Sequence, residues 1–366
     1  MTREKFHLLA MGGDGIGPKV LESGLAVFEA VARDAGMAYE IEHDLLHGAA
    51  WDAWGTFCRE ETVARAKAAD AVLVGGVGGP KWDHIKVPGG PEMQDGLMRL
   101  RVELDVYLGL RPAIAMRCLE PLTPYRDGLI AGADVLVLRE LCGGSFFGNP
   151  RGIDTLPNGR RRGYDNYAYD SDEIARFAHA GFRLARRRRG KLTSIDKANV
   201  MECFKLWREV VSEVARDYPD VAFDNMHADN CVYQVAMNPR AFDVILADNM
   251  LGDIVSDQLG CIAGSKAMLP SACLKGLPEP GQRIAGIYEP SHGTAPDIVG
   301  KGIANPLGTI LSVAMMFEYS LARPDLAHRI SLATQEVFES GCRPPDLGGT
   351  ASSASITSAV QAALKR

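Results

Sequence analysis

The sequence predicts an α/β protein built around a mostly parallel sheet. Five short apolar runs recur without the polar alternation of a half-exposed strand, which is typical of strands covered on both faces. Segments with helical character separate these runs, and such an order favours strands joined by helices. At 366 residues the chain can bury more than one core, so we expect one large or two intermediate domains. The runs lie at residues 6–11, 71–74, 135–138, 192–195 and 244–246.

Composition and charge argue against several classes of protein. The formal net charge of −6 is not that of a general nucleic-acid or membrane-surface binder. No segment approaches the roughly 20 apolar residues of a membrane span. Residues 1–5 lead into the first run without a signal-peptide pattern, so we expect a cytoplasmic protein. The eight cysteines are scattered without zinc-site spacing, and we expect most of them to be buried, reduced thiols.

A glycine-rich turn follows the first apolar run. Residues 12–18 have the sequence GGDGIGP, which partly resembles a dinucleotide-binding fingerprint. The spacing is nevertheless G-x-G-x-G, Pro18 follows at once, and no clear acidic residue ends a second strand about 20 residues on. The pattern is therefore a weak indication of a Rossmann domain. It favours a tight strand-to-helix turn that a ligand can approach.

Three arginines stand at positions suited to binding an anion. Arg101 and Arg111 are ten residues apart, and Arg139 follows the run at 135–138, at the end where open α/β sheets place ligands. Guanidinium groups bind carboxylates bidentately, so three that converge would suit a di-acid. Each arginine taken alone is more often part of a surface ion pair.

Residues 145–170 differ from the rest of the chain. The segment is rich in Gly, Pro, Asn, Arg and Tyr and has no helical period. Tyr164, Tyr167 and Tyr169 recur about every second residue, which favours an extended arm that pairs with another chain. A disordered loop is the alternative, although a long loop inside a compact domain usually has a function.

Two polar positions further along have both a functional and a structural interpretation. Lys197 follows the run at 192–195 together with Asn199, and it is either an ordinary surface charge or a proton acceptor. Asp229 stands just ahead of a predicted helix, where N-capping is the structural alternative.

The strongest pattern lies at residues 242–264. The buried run at 244–246 leads into a predicted helix in which Asp253 and Asp257, four residues apart, share one face. Two carboxylates directed at one point repel each other unless a cation lies between them, and oxygen ligands suit Mg²⁺ or Mn²⁺. A solvated helix face is the alternative, because aspartate pairs at this spacing are common.

A long irregular segment follows, from residue 289 to residue 306. It is dense in glycine, proline and hydrogen-bonding groups, as expected of a loop that surrounds a nucleotide. A carboxylate such as Asp297 accepts hydrogen bonds from both hydroxyls of an adenosine ribose and repels a 2′-phosphate.

These motifs occur in the same order in the metal-dependent β-decarboxylating dehydrogenases, which the chain resembles over nearly its whole length. The similarity is greatest with the isopropylmalate branch. The most specific motifs are DKANV at 196–200, FDVILADNMLGDIVSD at 242–257 and HGTAPDIVGKGIANP at 292–306.

The resemblance implies an isopropylmalate dehydrogenase-like open two-domain fold that is not a Rossmann domain. A cofactor-binding domain would comprise residues 1–106 and 264–366. Residues 107–263 would form the dimerisation domain, with the substrate and metal residues and an arm at about 145–170.

The resemblance also implies the site residues. Mg²⁺ or Mn²⁺ would be bound by Asp253 and Asp257 of one subunit and Asp229 of the other in a homodimer. Lys197, also from the second subunit, and Asp229 would be catalytic. The expected substrate contacts are Gln94, Leu97, Met98, Arg101, Arg111, Arg139, Asn199 and Val200. The expected NAD contacts are Ile16, His292, Gly293, Thr294, Ala295, Asp297, Ile298 and Asn305. Asp297 and Ile298 match the NAD-using pattern, where NADP-using isocitrate relatives place Lys and Tyr.

The implied reaction is an NAD-dependent oxidative decarboxylation of a 3-substituted (2R)-malate, as in leucine biosynthesis. Lys197 would help remove the proton of the 2-hydroxyl, hydride would pass to NAD⁺, and CO₂ would leave while a metal stabilises the enolate. The expected substrate is 3-isopropylmalate. D-malate or tartrate is one alternative, and a non-catalytic ligand-binding relative is another.

Two positions depart from the family's pattern. Phe146 occupies the position of the tyrosine that protonates the enol, and general acid catalysis is typically worth ~10²–10⁴-fold. Another group or water must then supply the proton, or the protein is a slow paralogue, or its substrate differs; Tyr164 and Tyr167 have no spacing that favours either. Gln94 stands where isopropylmalate enzymes usually carry Glu. Leu97, Met98 and Val200 of the other subunit nevertheless keep an apolar pocket, which favours an alkyl malate.

Overall fold

A ten-stranded sheet forms the centre of the molecule in the computed structural model, which describes residues 5–366. Residues 1–4, the start of the predicted cofactor-binding domain, lie outside the described part. Within that part the strands are β1 (Phe6–Gly13), β2 (Tyr39–Asp44), β3 (Ala71–Gly76), β4 (Leu108–Ile114), β5 (Asp134–Glu140), β6 (Gly152–Thr155), β7 (Arg161–Tyr164), β8 (Lys191–Asp196), β9 (Ala222–His227), β10 (Val244–Ala247), β11 (Pro270–Leu274) and β12 (Gly286–Pro290).

Helices connect these strands and cover the sheet. They are α1 (Gly17–Asp34), α2 (Gly48–Trp54), α3 (Glu60–Ala68), α4 (Pro91–Gln94), α5 (Gly96–Glu103), α6 (Ser171–Arg187), α7 (Glu202–Val214), α8 (Ala228–Met237), α9 (Asn249–Gln258), α10 (Gly260–Ala263), α11 (Leu307–Tyr319), α12 (Pro324–Glu339) and α13 (Ser353–Ala363). Ten of the thirteen residues of α11 are buried, because it packs against β11 and β12 as well as against α1 and α12. Most of these buried residues are apolar, as expected of a helix covered on several sides.

The strand order of the large sheet is β2-β1-β3-β12-β11-β4-β5-β10-β8-β9. Six of the nine neighbouring pairs are parallel, and the antiparallel pairs are β12–β11, β11–β4 and β4–β5. The predicted α/β fold with a mostly parallel sheet is therefore confirmed. Strands from the two ends of the chain meet strands from its middle at the β11–β4 pair. The division into domains at 1–106, 107–263 and 264–366 stays a prediction.

All five apolar runs form strands, namely β1, β3, β5, β8 and β10. The other strands of the sheet lack an uninterrupted apolar run for physical reasons. Strands β2 and β9 lie at the two edges and carry polar residues, and β4, β11 and β12 each contain a proline. Edge position and proline both weaken the sequence pattern of a strand.

The segment at 145–170 only partly matches the predicted arm. Strands β6 and β7 form an exposed two-stranded antiparallel hairpin, and Tyr164 lies on β7. The prediction that three tyrosines line an extended arm is wrong for two of them. Tyr167 donates a hydrogen bond to Asp248, and Tyr169 is buried and donates to Glu140, at 3.1 Å. The segment therefore returns to the body of the protein after Tyr164.

The predictions about membrane spans and about cysteine burial have different outcomes. Among residues 5–366, no helix has both the length and the apolar character to cross a membrane. The eight cysteines are free, but only Cys58, Cys231 and Cys273 are fully buried and Cys261 is exposed, so the expectation that most are buried is wrong.

Candidate active site

Helix α9 carries the two aspartates as predicted. The carboxylate of Asp248 accepts hydrogen bonds from the backbone amides of Met250 (3.2 Å) and Leu251 (3.0 Å), so it caps the helix at its start. Asp253 and Asp257 follow on successive turns. Gly252 allows close packing here, because a Cβ at this position would lie only 2.9 Å from the Cβ of Arg139.

Two of the predicted arginines converge on Asp253. Arg111 donates to the Asp253 carboxylate at 3.0 Å and to the Ser256 hydroxyl at 2.8 Å. Arg139 also pairs with Asp253, while the side-chain oxygen of Asn249 accepts from its Nε (3.0 Å) and its terminal nitrogen (2.8 Å). Burial alone would raise the pKa of Asp253, but Arg139 and Arg111 lower it below its usual range.

The third arginine has a different partner. Arg101 is buried and pairs with the buried carboxylate of Glu289 at 2.5 Å. Its charge still acts on Arg139, because burial, Arg111 and then Arg101 lower the pKa of Arg139 to about 9. Three buried guanidiniums therefore share two carboxylates, Asp253 and Glu289. This pocket has an excess of positive charge that a bound anion would neutralise.

The three predicted metal ligands are not gathered within one chain. In residues 5–366, no three His, Cys, Asp or Glu side chains form a group that could hold a metal. Asp257 pairs with Lys266 instead, and Asp229 pairs with Lys197 at 2.5 Å, which lowers the pKa of Asp229. Asp229 lies in the first turn of α8 and His227 is the N-cap residue, so the N-capping alternative is wrong.

Lys197 and Asp229 belong to an exposed face of the subunit. Asn199, Val200 and Asp229 are all exposed, and the Val200 residue is 67% accessible.

Phe146 lies beside the arginines. It ends a short 3₁₀ helix, Gly144–Phe146, that follows β5. The guanidinium carbon of Arg139 stands 5.5 Å from the centroid of the Phe146 ring. Of the tyrosines considered as substitutes, Tyr164 lies on the hairpin, and the Tyr167 hydroxyl is hydrogen-bonded to Asp248.

The predicted specificity residues lie on α4 and α5. Gln94 ends α4 and is exposed, Leu97 is buried, and Met98 is half-buried. The Asp95 carboxylate caps α5 by accepting from the amides of Leu97 (2.8 Å) and Met98 (2.9 Å). The same helix carries Arg101, so one element holds both apolar residues and an arginine.

The predicted cofactor loop packs directly on the first glycine-rich turn. The amide of Ile16 donates to the carbonyl of Thr294 at 2.9 Å. Gly15 has φ +58°, and a Cβ there would lie 2.2 Å from the Thr294 carbonyl oxygen, so only glycine fits. Ile16 also packs with Ala304, against which Ala295 and Ile298 lie.

The polar side chains of this loop differ in whether they have hydrogen-bond partners within the protein. His292 Nδ1 contacts the Gly293 carbonyl oxygen at 2.8 Å, whereas its buried Nε2 has no hydrogen-bond partner in the described part of the chain. Burial lowers the pKa of His292, so its ring is neutral at pH 7. Asp297 is exposed, and Asn305 is buried and donates to Asp346 at 3.0 Å.

Three residues of the arginine pocket were not predicted from the sequence. Asn249 orients Arg139, Ser256 holds Arg111, and Glu289 pairs with Arg101. Asn249 and Ser256 flank the two aspartates within the helix already singled out. The sequence around Glu289 does not indicate its ion-pair partner, because Arg101 is 188 residues away along the chain.

A cavity of about 850 Å³ lies beside β4. Leu110, Pro112, Ala113 and Ile114 of this strand line it, whereas Arg101, Arg111 and Arg139 do not. The cavity is therefore separate from the arginine pocket.

Sequence and structural relatives agree on the class of this protein. Residues 7–363 match the family described as isocitrate/isopropylmalate dehydrogenase. The chain is 48% identical to the 3-isopropylmalate dehydrogenase of Xanthomonas oryzae pv. oryzae, over 93% of both lengths, and 46% identical to that of Methylococcus capsulatus, over 98% of both. It superposes on the isocitrate dehydrogenase of Methylococcus capsulatus with a TM-score of 0.86 and 28% identity, covering 99% of this chain and 100% of the other.

Fold, pocket and relatives together define a decarboxylating dehydrogenase, an oxidoreductase. The chain belongs to the isocitrate/isopropylmalate dehydrogenase family. The expectation that the fold is not a Rossmann domain is confirmed by this family assignment.

Proposed function

We propose that the protein catalyses the NAD-dependent oxidation and decarboxylation of 3-isopropylmalate in leucine biosynthesis. The observation that carries this proposal is the group of three buried arginines with only two carboxylate partners. A malate brings two carboxylates to such a group, and bidentate Arg–carboxylate pairs fix their orientation. The alkyl substituent would contact Leu97 and Met98 on α5.

The donor set fits a divalent cation that prefers oxygen ligands. Asp253, Asp257 and Asp229 each pair with a cationic side chain in the single chain, so each carboxylate faces positive charge. A bound Mg²⁺ or Mn²⁺ would polarise the substrate hydroxyl and stabilise negative charge on the enolate. Lys197 would accept the proton of the 2-hydroxyl as a neutral amine, and Asp229, hydrogen-bonded to it, would hold the ammonium group that results.

A second copy of the chain would complete the site. Apolar side chains are exposed on α8 and α9, namely Tyr233, Met237 and Ile254. The two helices already contact each other, since the Gln258 side chain donates to the Val232 carbonyl at 2.8 Å. A homodimer formed through this face would bury these residues, and Lys197, Asn199, Val200 and Asp229 would then contact the partner's arginine pocket.

The loop at 292–305 fits an adenine nucleotide without a 2′-phosphate. The unpaired Nε2 of His292 offers one hydrogen-bonding position, and Ile16 with Ile298 offers apolar surface. The exposed Asp297 carboxylate would bind the ribose hydroxyls of NAD. The alternative substrates are D-malate and tartrate, and the absent hydroxyl at Phe146 favours a slow enzyme.

The direct test is NADH formation with 3-isopropylmalate, D-malate and tartrate in the presence of Mn²⁺, with CO₂ release measured separately. We expect the highest kcat/KM with 3-isopropylmalate and loss of activity with a chelator. A clear preference for an unbranched acid would overturn the substrate assignment. Activity that chelators leave unchanged would overturn the metal assignment.

A further inference from the structure

His47 holds a backbone conformation that side chains rarely adopt. Its φ is +57° and its ψ is −123°, at the N-cap of α2. Such a conformation costs a residue with a Cβ free energy and persists only where the surroundings enforce it. Asp14 enforces this conformation of His47. Its buried carboxylate accepts hydrogen bonds from the amides of Gly48 (3.1 Å) and Ala49 (2.8 Å), the two residues directly after His47.

The imidazole of His47 is buried, and one of its nitrogens is unpaired. The residue is 8% exposed, its ring lies tilted against Phe57 with the centroids 4.8 Å apart, and Trp82 meets it edge-on at 6.5 Å. Nδ1 has no hydrogen-bond partner among residues 5–366. The atom lies 3.9 Å from the Asp95 carboxylate, just beyond hydrogen-bond distance.

Asp95 is the residue that fixes the start of α5. Its Oδ1, the atom nearest His47, is also the acceptor for the amides of Leu97 and Met98. The backbones pack closely as well, because a Cβ on Gly96 would lie 3.1 Å from the His47 nitrogen. A displacement of His47 would therefore reach the first turn of α5 through both the side chain and the backbone.

We propose that His47 is a positioning residue that sets the location of the α5 N-terminus through Asp95, and so determines selectivity for the substituent of the malate. The inference rests on the proposed function, in which Leu97 and Met98 contact that substituent. Arg101 lies further along α5 and is held by Glu289, so clamping of the malate carboxylates depends less on this contact. Selectivity, rather than the rate of the chemical step, is the property that His47 controls.

The charged groups around the ring are few. Asp95 and Asp14 are the carboxylates beside it. On the Trp82 side, Asp52 accepts from the Trp82 indole at 3.1 Å and pairs with Lys81. The positioning role needs no change of charge on His47, because contact with Asp95 and packing on Phe57 suffice.

The experiment compares His47→Gly, which removes the ring and relieves the backbone strain, with His47→Asn, which keeps a short polar side chain and leaves the strained backbone in place. We expect His47→Gly to raise KM for 3-isopropylmalate by about tenfold, as for a misplaced apolar contact, with kcat and the KM for D-malate nearly unchanged. His47→Asn should keep part of the discrimination between 3-isopropylmalate and D-malate that His47→Gly loses. The matched control is His179→Ala on α6, which loses an imidazole in contact with the Tyr218 hydroxyl at 3.0 Å and should leave the ratio of kcat/KM for 3-isopropylmalate and D-malate unchanged.

Hydrogen exchange gives a readout that does not depend on substrate. In His47→Gly the amides of Leu97 and Met98 should exchange about tenfold faster, as expected when a cap is loosened. Unchanged protection, or an unchanged ratio of kcat/KM for the two acids in an active enzyme, would overturn the inference. If the wild type oxidises no malate, the proposed function fails, and exchange alone decides the positioning role.

Discussion

The guanidinium carbon of Arg139 stands 5.5 Å from the centroid of the Phe146 ring. An arginine of the proposed malate clamp thus lies beside a ring with no proton to donate, at the position that the resemblance assigns to the family's acid. The proposed site therefore has no phenol hydroxyl at this point.

Phe146→Tyr should therefore raise the rate of CO₂ release. General acid catalysis is typically worth ~10²–10⁴-fold, and we expect at least the lower part of this range if protonation limits turnover. CO₂ and NADH should be measured separately, with Phe147→Tyr as the control for an added phenol one residue away. An unchanged rate would mean that water or another group already supplies the proton.

A shared active site predicts complementation between two inactive variants. Lys197→Met and Asp253→Asn should each abolish activity in the homodimer. In a mixed dimer, one of the two sites would contain both native residues. Random mixing at equal levels should then restore about a quarter of wild-type activity.

The control for this complementation uses two residues that one subunit would donate together. When Lys197→Met is coexpressed with Asp229→Ala, every active site contains one substituted residue. This combination should therefore restore no activity. Recovery in this control, or none with Asp253→Asn, would contradict a site shared between subunits.

Glu140 predicts a dependence of stability on pH. Its carboxylate accepts from the amides of Cys142 (2.9 Å) and Gly143 (2.8 Å), but burial raises its pKa to about 7 from the ordinary 4.5. Between these values the folded state binds more protons than the unfolded state, so the free energy of unfolding falls as pH rises through this window. The slope is at most about 1.4 kcal/mol per pH unit.

Glu140→Gln should remove this slope, although it loses one acceptor oxygen. Urea unfolding between pH 4.5 and 7 measures it, with Glu213→Gln on the exposed face of α7 as the control. A slope equal to that of the wild type would show that other groups cause it.

The sequence was informative where a pattern is local and limited where contacts join distant segments. The buried strands and the Asp253–Asp257 helix were predictable because apolar runs and four-residue spacing arise within a few residues. The pairing of Arg101 with Glu289 joins residues 188 apart, and the edge strands β2 and β9 carry no buried pattern. The strain at His47 was equally invisible, because φ depends on Asp14, Phe57 and Gly96 around it.

The Asp297 carboxylate should set the preference between NAD and NADP. Asp297 lies on a short 3₁₀ helix, Pro296–Ile298, and is exposed, with no hydrogen-bond or ion-pair partner for its carboxylate in the described residues. A carboxylate with no counter-charge would strongly disfavour a 2′-phosphate, because like charges brought together cost several kcal/mol. Replacing Asp297 by a cation, with an aromatic ring beside it, should reverse the proposed preference for NAD.

Asp297→Lys combined with Ile298→Tyr should therefore raise kcat/KM for NADP⁺ and lower it for NAD⁺, changing their ratio by at least about 100-fold. Initial rates with both nucleotides at fixed substrate measure this ratio. Asp224→Asn, on the exposed edge strand β9, controls for the loss of a surface charge. If the double variant keeps the wild-type preference, the adenosine ribose does not lie at Asp297, and the loop at 292–305 binds another part of the cofactor.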